Sequence, residues 1–181
     1  MKPIKMVWAF WLGLALVLWA VAPPAVWAHG GGVVRVAGEV AGPYRLTVWV
    51  APNTIEAGNK LHFTVAVVQP EGSEPVLDAE VWVDVLVDGT DTAVLSGPAT
   101  TAQAVNKLFY EVDFQAPADT GRYQVRTHVS GAEGEGTVTF DLTVAPARPN
   151  LLLYIGLGGV LLVTALGIFF ARRGEKAATA D

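Results

Sequence analysis

Two features of the sequence predict an all-β antiparallel sandwich followed by one transmembrane helix. Apolar and polar residues alternate with period two through residues 43–145, and turn residues break the alternation every ten or so positions. A separate run, residues 151–171, is apolar throughout and carries no charge and no proline. The 52% hydrophobic content is too high for an ordinary soluble domain, and the excess sits in residues 6–22 and 151–171.

The alternation assigns core faces in order. Tyr44, Leu46, Val48 and Val50 share one face of a first strand. Leu61, Phe63, Val65 and Val67 share a face of the next, and Ala79, Val81, Val83 and Val85 of a third. Leu108, Tyr110, Val112 and Phe114 follow, then Tyr123, Val125 and Val129, and finally Val138, Phe140, Leu142 and Val144. The separators are Pro52-Asn53, Glu71-Gly72-Ser73, Asp88-Gly89, Gly97-Pro98, Asp119-Thr120-Gly121 and residues 131–136. Six or seven short strands of this kind pair into two packed sheets.

Asp119-Thr120-Gly121-Arg122-Tyr123-Gln124-Val125 has the form of a tyrosine corner, with Val125 where antibody domains place cysteine. It makes the expected sandwich immunoglobulin-like. Tyr123 is there for structure, its hydroxyl bonding back to the turn.

The flanks set an expected topology. Residues 1–28 read as a signal peptide: Lys2 and Lys5 precede an apolar run, Pro23-Pro24 ends it, and a cut after Ala28 follows small residues. Residues 29–42 are a glycine-rich lead-in strand, residues 43–145 the sandwich, and residues 146–150 a short stiff linker. At ~1.5 Å per residue, residues 151–171 reach ~31 Å as a helix, enough for a bilayer core. Arg172, Arg173 and Lys176 then place residues 172–181 in the cytoplasm by the positive-inside rule. The expectation is a single-pass protein of the cell membrane with its domain outside.

Composition excludes several functions. Residues 29–149 hold seven Lys or Arg against fifteen Asp or Glu, a formal charge of −8, so a phosphate backbone is repelled and nucleic acid is excluded as a partner. With no cysteine there are no disulfides, thiolate metal sites or cysteine nucleophiles. Met1 and Met6 lie in the leader, so the mature chain has no soft sulfur ligand for Cu(I). Ser73, Ser96 and Ser130 lie in or beside turns, and no G-x-S-x-G, H-E-x-x-H or phosphate loop occurs. No catalytic residue is assigned and the protein is read as a non-enzyme.

Gly42-Pro43-Tyr44-x-Leu46, Gly58-Asn59-x-Leu61-x-Phe63-x-Val65, Pro75-Val76-x-Asp78-Ala79-x-Val81 and Gly121-x-Tyr123-x-Val125 together resemble the YtkA-like group of bacterial extracytoplasmic domains. FixH-like and CopC-like domains are more distant relatives. The resemblance covers about residues 42–145. It implies an exported or membrane-tethered accessory module that interacts with another membrane protein in copper handling or oxidase assembly.

One residue offers metal chemistry. Cleavage after Ala28 makes His29 the first mature residue, and its free amine and imidazole together chelate Cu(II) in a tetragonal N/O field. The resemblance adds that CopC-like proteins begin with a comparable histidine. A direct Cu(II) carrier through His29 is therefore the alternative to the interaction module. His62 and His128 fall on the outward parity of strands assigned to different sheets, so they form no joint site. Asp78, Glu80 and Asp84 alternate with valines as a solvated face, and their spacing is not that of a calcium loop. Trp49 and Trp82 also fall on the outward parity. Each is either an exposed contact residue or is turned inward by a bulge.

Overall fold

The computed structural model describes residues 32–72, 74–149 and 151–178, in two compact units taken here separately. The expected signal peptide of residues 1–28 and His29 lie outside the described residues.

Among the described residues the first unit contains nine strands: β1 (Val33–Ala41), β2 (Tyr44–Ala51), β3 (Ile55–Glu56), β4 (Lys60–Val68), β5 (Glu80–Val87), β6 (Ala93–Ala99), β7 (Tyr110–Gln115), β8 (Gly121–Gly131) and β9 (Gly134–Ala145). They form two sheets, a four-stranded one in the order β1-β2-β4-β7 and a five-stranded one in the order β3-β9-β8-β5-β6. Every pairing is antiparallel except the short β3–β9 contact.

The valine-rich alternation builds this architecture because β-branched side chains suit a pleated surface that is buried on one face. Leu46, Val48, Val50, Leu61, Phe63, Val65 and Val67 from one sheet meet Val81, Val83, Val85, Val125, Val129 and Leu142 from the other in a single core. Tyr110 and Val112 join them, and Phe114 and Phe140 pack at its margin. At the β1–β9 seam the backbones touch. A Cβ on Gly136 would lie 2.0 Å from the Ala41 carbonyl oxygen, so only glycine fits.

Three strand readings are corrected. Leu108 is 49% exposed and precedes β7, inside the 100–109 loop. Gly97-Pro98 is no turn: both residues lie in β6, an edge strand where proline's missing N–H leaves no ladder bond unmade. Gly97 pairs with Val83 and lies against the Phe114 ring, with only 3.2 Å from an added Cβ to Cε1. Ser96 is likewise a strand residue.

The second unit contributes α1 (Leu151–Ala178). The expected sandwich-plus-transmembrane-helix fold is corrected here: among the described residues no helix is long and apolar enough to cross a membrane. The helix does not stop with the apolar run. It runs on through Arg172, Arg173, Glu175 and Lys176.

Candidate functional sites on the two outer faces

Cross-strand pairing brings together residues that parity alone could only call outward. On the four-stranded sheet, β4 pairs with β7 so that His62 faces Asp113 and Thr64 faces Glu111. His62 Nδ1 lies 2.8 Å from Asp113 Oδ1, and His62 Nε2 lies 3.1 Å from Thr64 Oγ1. With the ring neutral, Nδ1–H donates to Asp113 and the Thr64 hydroxyl donates to Nε2. Lys60 Nζ takes the other Asp113 oxygen at 3.0 Å. Glu111 Oε2 stands 3.9 Å from His62 Nε2. Burial by itself would raise the Asp113 carboxyl, but the hydrogen bonds from His62 and Lys60, with their charges, more than offset it and hold it below the ordinary aspartate value.

The loop of residues 100–109 closes over part of this face. Thr100 exchanges backbone hydrogen bonds with Glu111 at 3.0 and 3.1 Å. The Val105 N–H donates to Glu111 Oε2 at 3.3 Å. Lys107 Nζ donates to the carbonyls of Thr101, Ala102 and Ala104, which stiffens the loop. Phe109 packs on Trp49 with ring centroids 5.5 Å apart. Thr64 is 3% exposed, and Glu111 7%.

Asp113, His62 and Thr64 repeat the orienter–base–hydroxyl order of a nucleophilic triad. The hydroxyl of that order is buried, Thr64 being 3% exposed. The cluster is a clamp joining β4, β7 and the loop. Its sequence signal was three polar residues of outward parity, and only the β4–β7 register assembles them.

The outer face of the five-stranded sheet is open. Pro98, Trp82, His128 and Thr137 lie in one row across β6, β5, β8 and β9. Trp82 is 43% exposed, whereas Trp49 is half-buried under Phe109, so neither indole is turned into the core. Trp82 Nε1–H donates to Ser96 Oγ at 2.8 Å, and the Ser96 hydroxyl donates to Asp84. This chain fixes the indole edge and leaves ring surface to solvent. Beside it runs a groove of about 510 Å³ whose lining includes Leu77, Asp78, Glu80, Trp82, Thr101 and Tyr110.

Other carboxylates of the acidic stretch are paired. Asp88 meets Arg122 at 3.4 Å and Asp91 meets Arg126 at 2.6 Å. The tyrosine corner is formed: the Tyr123 hydroxyl donates to the Asp119 carbonyl at 2.8 Å. Burial, and then the nearby Asp119 charge, push its phenol upward.

For copper, the described residues supply no donor set. His62 has both ring nitrogens engaged, His128 lies on the other sheet and bonds Thr137, and among the described residues no group of three His, Cys, Asp or Glu could hold a metal ion. The Cu(II) expectation rests on His29 alone.

Fold and site together define a β-sandwich with one outer face partly covered by a loop and one open outer face that carries Trp82. No family model matches the chain, and no curated protein matches it. Among solved structures it is similar to an engineered protein at 20% identity and a TM-score of 0.40, over 57% of this chain and 21% of that one. The chain thus spans about a fifth of that protein. It is also similar to the PKD domain of the human VPS10 domain-containing receptor SorCS2, at 17% identity and a TM-score of 0.39, over 71% of this chain and 99% of that domain. Neither likeness carries a functional argument.

Proposed function

We propose that the sandwich is a non-catalytic, extracytoplasmic binding module, and that it binds through the five-stranded face around Trp82. The observation that carries the reading is the exposed Trp82 ring, held by Ser96 beside an open groove. A large apolar ring kept in water and fixed in orientation loses little freedom on binding, which is the property of an interface anchor. The leader-like residues 1–28 support export. The burial of Thr64, the hydroxyl beside His62, supports a non-catalytic role.

The test is site-specific photo-crosslinking in the producing cells. A benzophenone side chain at position 82 is expected to give discrete adducts, and the same group at Val40, which is exposed on β1, is expected to give none. Equal labelling from both positions would overturn the reading.

A further inference from the structure

We infer that the Trp82 groove takes a cationic side chain, an arginine of an extended peptide segment in the partner. This rests on the binding role proposed above and names its chemistry. Glu80, Trp82 and Asp84 point outward from one strand at every second residue, so carboxylates flank the ring on both sides. Their states differ. Asp84 is taken by Ser96, but the Asp78 and Glu80 carboxylates have no hydrogen bond or ion pair among the described residues. Both line the groove, with Trp82 beside them.

Neither of two nearby cations is paired with Asp78 or Glu80. Arg126, opposite Asp84 on β8, is bound to Asp91. Lys107 is bound by three carbonyls. From Leu61 to Asn106 the chain contains no lysine or arginine at all. The groove therefore sets Trp82 beside two carboxylates that no lysine or arginine pairs with among the described residues. A guanidinium satisfies both features at once: its plane stacks on the indole and its edge donates to carboxylates. An anionic ligand meets only repulsion there. A neutral ring could stack on Trp82 but would gain nothing from the two exposed carboxylates.

The probe is a synthetic peptide, acetyl-Gly-Arg-Gly-Arg-Gly-amide, titrated into the full chain while the Trp82 indole N–H resonance is followed; that resonance is identified by its loss in Trp82→Phe. The control peptide replaces each arginine with citrulline, which keeps the shape and removes the charge. The arginine peptide is expected to shift the Trp82 signal and to bind at least about tenfold tighter than the citrulline peptide at low salt, weakening as salt screens the contact. Trp82→Ala and the paired Asp78→Asn/Glu80→Gln variant should each lower affinity about fivefold or more. Glu39→Gln, an exposed carboxylate on β1, should not. Equal binding of the two peptides, or no shift with arginine, overturns the cationic assignment. If position-82 adducts persist in that case, the binding role stands and only its ligand class falls. If the adducts are absent too, both fall.

Discussion

The backbone N–H of Ala79 donates to the Tyr110 hydroxyl at 3.0 Å, and that hydroxyl donates in turn to the Val76 carbonyl at 3.0 Å. Tyr110 belongs to β7 of the four-stranded sheet, and residues 76–79 lead into β5 of the other. One phenol thus pins the segment carrying Asp78 to the opposite sheet. Tyr110→Phe leaves two main-chain groups without their partner, and a loss of about 1–3 kcal/mol in urea unfolding is expected. Burial raises the Tyr110 phenol, the Ala79 bond lowers it, and the Asp78 and Tyr44 charges raise it again; the net shift is upward. A phenol raised in the folded state contributes stability that is present below the ordinary tyrosine value of ~10 and is lost as pH rises through the folded value. Tyr110→Phe should therefore flatten the alkaline limb of the stability curve. An unchanged limb would mean that the phenol is not held in this pair of bonds.

Thr127 offers the opposite case. It is fully buried among the β8 core residues, and its hydroxyl has no hydrogen-bond partner among the described residues. Thr127→Val keeps the shape and removes the unsatisfied group. It should stabilise the protein by about 1 kcal/mol, seen as a higher Tm. Thr127→Ser keeps the hydroxyl, loses a methyl group and should destabilise. A Tm lowered by valine would show that the hydroxyl is bonded.

The same alternation that made the core legible hid the rest. Parity placed Phe63 in the interior, where it is fully buried, and Phe63→Ala should cost ~3–5 kcal/mol by denaturant unfolding. Parity ranked Phe140 equally, yet Phe140 is only partly buried at the core margin, so Phe140→Ala should cost clearly less. Thr64, the polar neighbour of Phe63, reads as a surface residue by period two. It is nonetheless 3% exposed and its hydroxyl engages His62, so Thr64→Ala should cost about 0.5–1.5 kcal/mol, while exposed Thr139→Ala changes little. Period two records which side of a sheet a residue faces. It carries nothing about which strand lies alongside or which loop folds back over it. Gly97-Pro98 escaped for a related reason. The pair is turn chemistry in isolation, and only the place of β6 at the sheet edge, with Phe114 beneath Gly97, makes it strand. Equal losses at Phe63 and Phe140 would contradict the packing described.

The Asp113 clamp makes its own pH prediction. The carboxyl is held below its ordinary value because its charged form accepts hydrogen bonds from His62 and Lys60. A carboxyl depressed by folding adds stability that is fully present above the unfolded value of ~3.9 and is lost as pH falls through the lower folded value. Asp113→Asn removes that linkage. The wild type should exceed the variant in urea midpoint at pH 6, and the gap should narrow below about pH 4 as Asp113 takes up its proton. Asp113 is 53% exposed in its side chain, so solvent screens the pair and the gap at pH 6 should be small and shrink with added salt. Lys60→Ala alone should reproduce only part of it, because the half-buried His62 still donates to the other oxygen. A gap that stays constant from pH 6 down to pH 2 would show that the folded carboxyl is not depressed and that His62 and Lys60 do not stabilise its charge.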